Sequence, residues 1–90
     1  MQVRKIRILR HECGISLVDL ARTCGVTRQR ISEIELDTET VIKPKTKEAV
    51  ANAFSSILDK RWEKFQRQYR AFEKHRDSLM DCVEEIGYEL

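Results

Sequence analysis

The sequence has few of the residues that interrupt helices, with one proline and three glycines among 90 residues. This scarcity argues against the many tight turns of a β-sandwich or β-barrel. Charged residues make up 36% of the chain and hydrophobic residues 41%, a composition typical of a folded helical domain and not of a disordered segment. A chain of this length forms one small domain, with or without an extension, and its marginal core is compatible with an oligomer.

Cysteine and histidine are also scarce, which excludes several kinds of site. Cys13, Cys24 and Cys82 show no C-x-x-C spacing, and their odd number in a reducing compartment predicts thiols and not disulfides. The two histidines, His11 and His75, lie far apart in the sequence. We therefore expect no bound metal and no cofactor.

The sequence has no apolar run of about 18 residues and no signal-peptide pattern, so we expect a cytoplasmic protein that does not enter a membrane. It also has no nucleophile beside a base and no phosphate-binding glycine loop. His11, Glu12 and Cys13 are adjacent, but consecutive residues of a helix point to different faces. The sequence therefore indicates a protein that is not an enzyme.

What the sequence does contain is apolar residues at helical spacing. A first helix is indicated by Val3, Ile6, Leu9 and Cys13, and Gly14 is expected to end it. A later helix, from about Lys45, is expected to bury Ala49, Val50, Ala53 and Phe54. Ser56, followed by Asp59 three residues later, predicts the start of another helix.

Between these segments lie two short helices joined by a turn at residues 24–27. Ser16 is a good N-cap for the first of them, and Thr27 for the second. Ile31 and Ile34 are expected to face the core. A turn of about three or four residues that contains glycine is typical of a helix-turn-helix.

The C-terminal third of the chain has a heptad pattern without a helix breaker, from residue 58 to about Ile86. Its a and d positions are Trp62, Phe65, Tyr69, Phe72, Arg76, Leu79, Val83 and Ile86. Such a pattern predicts a long C-terminal helix that forms a homodimer. Residues 59–76 carry seven basic and three acidic groups, and residues 77–90 carry none and five, which favours an antiparallel pair. The alternatives are a larger bundle, a fold back onto the N-terminal domain, or a different protein as partner.

These motifs together resemble the XRE family, the helix-turn-helix class of the lambdoid-phage repressors and Cro. The matching segments are GIS (14–16), LA (20–21), GVT (25–27), IS-x-IE (31–35) and KPKTKEAVANAF (43–54). The resemblance implies an all-α fold, namely a five-helix repressor-like domain at residues 1–57. Its last helix would extend into a long dimerisation helix at residues 58–90. It also implies double-stranded DNA as the partner.

In this family the second helix of the motif, here about residues 28–36, enters the major groove with its N-terminal residues facing the bases. The resemblance therefore implies base contacts by Arg28, Gln29, Arg30 and Glu33. Arginine can pair with guanine and glutamine with adenine, while glutamate can accept a hydrogen bond from cytosine. Arg30 could instead reach a phosphate, and the alternative for all four side chains is simple solvation.

The family also contacts the DNA backbone, which implies phosphate contacts by Ser16, Arg22, Thr27, Lys43, Lys45 and Lys47. Leu17 departs from the pattern, because the family often has a phosphate-contacting glutamine there; Arg22 or Thr23 would have to replace it. The alternative for the three lysines is solvation.

The resemblance also concerns an ion pair and a loop. Arg10 and Glu35 match a pair that forms a partly buried ion bridge in the family. Asp37 stands where the family usually has glycine, and the interval to Pro44 is longer than usual, so the loop after the recognition helix is expected to be extended.

The resulting expectation is a sequence-specific transcription regulator, a repressor, that binds a palindromic operator as a homodimer. The alternative is an antitoxin or another protein-interaction module whose C-terminal helix binds a different protein, such as a toxin or a polymerase subunit.

Overall fold

The computed structural model describes residues 2–89, and every regular element in this range is helical, as predicted. The first three helices are α1 (Lys5–Glu12), α2 (Leu17–Cys24) and α3 (Arg28–Leu36). They are followed by the long helix α4 (Pro44–Glu73), a 3-10 turn (Arg76–Ser78) and α5 (Leu79–Glu84). The chain divides after Leu58 into two compact units.

The predicted caps of the helix-turn-helix are confirmed. The Ser16 hydroxyl accepts a hydrogen bond from the Asp19 amide at 3.0 Å, and the Thr27 hydroxyl accepts one from the Arg30 amide at 3.1 Å. Gly25 ends α2 in the left-handed conformation, with φ of 79°, and its amide donates to the Ala21 carbonyl at 2.9 Å. Glycine adopts this conformation without the strain that a side chain would add.

The core of the first unit lies where α2, α3 and the start of α4 meet. Its buried apolar side chains are Ile15, Leu20, Ala21, Ile31, Ile34, Val50, Ala53 and Phe54. The helix indicated by the spacing of Ile6 and Leu9 is present as α1, although Leu9 itself is 45% exposed and lies outside this core. Arg10 is the buried residue of α1 instead, because it pairs with a buried carboxylate of α3.

The predicted boundary between a fourth and a fifth helix at Ser56 does not exist. Helix α4 begins at Pro44, where a missing amide proton costs nothing because first-turn amides have no partner within the helix. It then continues through residue 56 to Glu73. The short side chain of Ser56 is tolerated inside a helix when the flanking turns are already formed.

The predicted continuous helix to about Ile86 is also wrong, because α4 ends at Glu73. Residues 74–78 include histidine, aspartate and serine, which have weak helix preference. In the described part of the second unit no side chain is buried, so packing does not hold these residues in a helix. The heptad seam is therefore divided among α4 (Trp62, Phe65, Tyr69, Phe72), the turn (Arg76), α5 (Leu79, Val83) and the segment after it (Ile86).

Candidate nucleic-acid interface

Helix α3 is anchored by its apolar face, which fixes the direction of its polar face. Ile31 and Ile34 are buried in the core, at 1% and 3% exposure. Side chains at neighbouring positions of the helix therefore face solvent, among them Arg28 and Gln29 in its first turn. This is the arrangement in which the start of a recognition helix can reach base edges in a groove.

A buried ion pair holds α3 against α1 from the inner side. Arg10 Nε lies 2.7 Å from Glu35 Oε2, and Arg10 Nη2 lies 3.0 Å from Glu35 Oε1. The third donor, Arg10 Nη1, bonds the Ile15 carbonyl at 2.9 Å, while Arg7 Nη1 approaches Glu35 Oε1 at 3.5 Å. Arg10 and Glu35 thus form a fully buried pair and not the partly buried bridge that the resemblance implied.

Two of the expected base-contact residues pair with each other on the surface of α3. Arg30 Nη1 lies 3.4 Å from Glu33 Oε2, with side chains 34% and 54% exposed. In solvent such a pair, one turn apart along a helix, contributes little to stability. It does bring a cation beside the carboxylate, which reduces the repulsion that Glu33 would meet near DNA phosphates.

Ser32 and Leu36 share the exposed face of Gln29 and Glu33, and sequence reasoning missed both. Together with Asp37, these four residues line a shallow depression along the outer side of α3. Leu36 is 42% exposed there, and an apolar side chain can pack on the methyl group of thymine. The signal was present in the sequence, since residues three and seven positions after Gln29 lie on the same helix face.

Arg4, which sequence reasoning also missed, holds the C-terminal end of α3 and the loop after it. Its guanidinium donates to the carbonyls of Ile34 at 2.7 Å and Thr38 at 3.4 Å, and also to that of Thr40. Its backbone amide donates to the Glu35 carbonyl at 2.9 Å. A cation at the carbonyl end of a helix is favourable, because the helix dipole is negative there.

Asp37, which stands where the family usually has glycine, forms hydrogen bonds within the loop after α3. One of its carboxylate oxygens accepts from the Thr40 hydroxyl, and the other accepts from the Glu39 amide at 3.2 Å. These bonds, the Thr40 hydroxyl first, hold the pKa of Asp37 below its usual value. An aspartate that bonds the backbone two residues ahead stabilises a turn, so the extended loop has its own local order.

The expected phosphate-contact residues are all exposed, at three places in the first unit. They are Ser16 directly before α2, Arg22 on α2, Thr27 directly before α3, Lys43 directly before α4, and Lys45 and Lys47 in the first turn of α4. Arg22 Nη1 lies 3.8 Å from Asp19 Oδ1, a loose pair that leaves the guanidinium in solvent. Lys47 stands at the edge of an apolar groove between α1, α3 and α4, with Arg4 on the same groove. Leu17 packs against the core, so it cannot supply the polar contact of the family's glutamine.

The described residues also include thiols and side chains of the kinds that can bind a metal ion. Burial raises the pKa of the Cys24 thiol, which favours its protonated form. Within residues 2–89, no three histidine, cysteine, aspartate or glutamate side chains come together in a way that could hold a metal ion. Among the same residues, no helix has the length and apolar content needed to cross a bilayer.

Comparison with known proteins identifies the fold family. No curated protein and no solved structure matches the chain. Residues 4–56 match the family model described as helix-turn-helix, which covers the capped turn, the buried anchors of α3 and the first part of α4. This match spans more than half of the chain. The protein therefore belongs to the XRE-type helix-turn-helix family, whose fold is that of DNA-binding transcription regulators.

Proposed function

We propose that this protein is a sequence-specific regulator that binds double-stranded DNA as a homodimer and represses transcription at a palindromic operator. The observation that carries the proposal is the first turn of α3, where Arg28 and Gln29 are exposed while Ile31 and Glu35 are buried beneath them. Side chains that read bases must project from a rigid support, and this helix is fixed by its core contacts and by the Arg10–Glu35 pair.

The proposed reading follows from the chemistry of these side chains. Arg28 offers two donors for O6 and N7 of a guanine, and Gln29 offers a donor and an acceptor for an adenine. Glu33, with Arg30 beside it, accepts from a cytosine amino group, and Leu36 packs on a thymine methyl group. Each good base contact discriminates by about 1–3 kcal/mol.

Backbone contacts would set the register of the protein on the duplex. The N-terminus of α2 at Ser16 carries the positive end of the helix dipole, which suits a phosphate. Lys43 and Lys45, at the start of α4, add positive charge next to the loop that leads from α3. Phosphate contacts position a protein on DNA without distinguishing the base sequence, and they make the binding affinity depend on salt concentration.

A palindromic operator requires two recognition helices related by a two-fold axis. Residues 59–89 supply the means of pairing in this proposal, because the expected interface residues Trp62 and Phe65 are 59% and 52% exposed. Large apolar side chains exposed in a row favour association with another chain. A dimer bound over a promoter would exclude RNA polymerase by occupying its site. The protein would act in the cytoplasm, the compartment that holds the DNA.

Selection from a pool of random duplexes tests the proposal without knowledge of the operator. The wild-type protein should enrich inverted half-sites whose centres lie one helical turn, roughly 10 base pairs, or a multiple of it apart. Binding to the enriched duplex should exceed binding to a shuffled duplex by at least about 1,000-fold, measured by gel shift at two salt concentrations. Equal binding to both duplexes would contradict the proposal.

The second candidate function is that of an antitoxin or another interaction module, in which residues 59–89 bind a different protein. The same exposed stripe favours it, since the apolar side chains need some partner. Light scattering of the purified chain separates the two candidates. A stable dimer at micromolar concentration supports self-pairing, whereas a monomer that aggregates supports a different partner.

A further inference from the structure

We propose that two copies of this chain pair in antiparallel orientation, so that the acidic segment of each lies on the aromatic stripe of the other. The aromatic stripe is the exposed row Trp62, Phe65, Tyr69 and Phe72 on α4, and the acidic segment is residues 77–89. This inference rests on the homodimer of the proposed function, and adds the direction of pairing and the two surfaces that meet.

The aromatic stripe is a continuous apolar surface. The ring centres of Trp62 and Phe65 lie 5.9 Å apart, those of Phe65 and Tyr69 5.7 Å, and those of Tyr69 and Phe72 5.8 Å. All four side chains are at least 38% exposed. Aromatic side chains dominate the energy of protein interfaces, because each can bury about 150–250 Å². An exposed aromatic stripe of this kind favours binding of another polypeptide segment that removes it from water.

The acidic segment is a surface of matching length that also lacks a cover. Met80, Val83 and Ile86 are 87%, 84% and 84% exposed. Helix α5, from which the first two project, has only six residues. A helix this short is not stable in water without packing against another surface. The segment therefore needs an apolar partner, and the stripe needs an apolar occupant.

Charge decides the direction in which two copies meet. Residues 59–76 carry seven Lys or Arg and three Asp or Glu, whereas residues 77–89 carry five Asp or Glu and no Lys or Arg. A parallel pair would place the basic residues 59–76 of both copies side by side, and likewise the acidic segments of both copies. An antiparallel pair sets the acidic segment of one copy along the basic helix of the other, twice by symmetry. Opposed fields of this kind select the orientation of an interface.

The position of Arg76 favours a second copy over the segment of the same chain. Its guanidinium lies 5.6 Å from the ring centre of Tyr69 and 5.1 Å from that of Phe72, and it donates to the Tyr69 hydroxyl. A hairpin at residues 74–78 would place α5 on this part of the stripe, which Arg76 already covers. Trp62 and Phe65 stay open at 59% and 52% exposure, and a second copy can reach them directly.

Energy transfer between two chains tests the orientation with the native residues. Trp62 is the only tryptophan of the chain, and Cys82, in the acidic segment, is the exposed cysteine. A Trp62→Phe chain labelled on Cys82 with an energy acceptor is mixed with unlabelled wild type, so that the tryptophan and the acceptor belong to different copies. Antiparallel pairing sets Cys82 of one copy beside the stripe that contains Trp62 of the other. Parallel pairing separates Trp62 and Cys82 by at least the length of α4 from residue 62 to its end at Glu73, about 16 Å at 1.5 Å per residue.

We expect strong quenching of Trp62 on mixing, and none with a Trp62→Phe, Cys82→Ser chain treated with the same label. The absence of energy transfer between copies would overturn the inference. Energy transfer found only within a single wild-type chain labelled on Cys82 would also overturn it, because it would show that the acidic segment lies on the stripe of its own chain. The duplex selection is independent of this experiment. Specific DNA binding without transfer between copies would therefore reject the antiparallel pairing and leave the proposed function standing.

Charge reversal gives a second test that does not rely on a label. Lys60→Glu with Lys64→Glu should weaken self-association at low salt, because the field of α4 then repels the acidic segment. Both lysines lie beside the stripe and not on it, so the effect should fade as the salt concentration is raised. Adding Asp81→Lys and Glu84→Lys to the same chain should restore it. When mixed with wild type, the fourfold variant should form only homodimers. Mixed dimers would show parallel pairing and overturn the inference.

Discussion

Arg10 and Glu35 are joined by two hydrogen bonds, Nε to Oε2 at 2.7 Å and Nη2 to Oε1 at 3.0 Å, in side chains that are 5% and 0% exposed. The pair connects α1 to the last turn of α3. Breaking such a pair leaves one charge buried without its partner, which costs far more than the loss of a surface pair.

The first prediction concerns this pair. Arg10→Met should lower the free energy of unfolding by about 3–5 kcal/mol, because the Glu35 carboxylate stays buried without its bidentate partner. Urea denaturation followed by circular dichroism measures the change. Adding Glu35→Leu to Arg10→Met should recover most of the loss, since two apolar side chains can replace a buried pair.

Arg22→Met is the matched control, because Arg22 is an exposed arginine with only a loose ion pair. Its effect should stay within about 0.5 kcal/mol. If Arg10→Met and Arg22→Met cost the same, the buried pair does not stabilise the fold.

The second prediction concerns base reading. Arg28→Ala and Gln29→Ala should each reduce the preference for the selected duplex over a shuffled one by about 5- to 150-fold, the equivalent of about 1–3 kcal/mol. Unfolding by urea should be unchanged, since both side chains are exposed. Competition gel shifts measure the preference, and Lys5→Ala, an exposed change on α1, serves as control. An unaltered preference in both variants would show that α3 does not read the sequence.

The third prediction separates positioning from reading. Lys45→Ala should weaken binding to selected and shuffled duplexes by the same factor. It should also reduce the slope of log affinity against log salt by about one, because one phosphate contact is lost. Titrations at several salt concentrations give this slope. An unchanged slope would indicate that Lys45 is only solvated.

The fourth prediction concerns the loop after α3. The pKa of Asp37 is lower in the folded protein than in the unfolded chain, so the ionised carboxylate stabilises the folded state. This stabilisation is complete above the ordinary aspartate pKa near 4, and it disappears as the pH falls through the lower pKa of the folded state. Asp37→Asn should therefore be less stable than wild type at pH 7, and the difference should shrink below about pH 4. Urea denaturation across this range measures it. Glu39→Gln, an exposed substitution in the same loop, is the control, and its difference in stability from wild type should not shrink in this way as the pH falls.

The features that the sequence predicted well are those that neighbouring residues determine. The caps at Ser16 and Thr27 and the left-handed Gly25 each depend on bonds within one turn of a helix. The buried positions Ile31 and Ile34 follow from helical spacing. The exposed first turn of α3 follows from the same spacing, so the location of the candidate surface could be derived from the sequence.

The features that the sequence did not predict depend on residues far apart in the chain. Arg4 bonds the carbonyls of Ile34 and Thr38, 30 and 34 residues away, and no local pattern indicates such a contact. The end of α4 at Glu73 was missed for a different reason. A heptad pattern indicates which side chains could share a seam, but it does not reveal whether packing is present to keep a weak stretch helical.

The sequence by itself determined the class of this protein: helical, with a helix-turn-helix whose second helix begins with Arg28 and Gln29. It could do so because capping, helical spacing and glycine geometry act over a few residues. Only the tertiary structure decided that Arg10 and Glu35 are fully buried, that Arg4 holds the loop after α3, and that Arg76 covers part of the aromatic stripe. The Arg10–Glu35 pair requires two charged side chains to leave water, and the free energy of that step is set by the surroundings that folding creates. The contacts of Arg4 and Arg76 depend on where the folded backbone places these partly or fully exposed side chains.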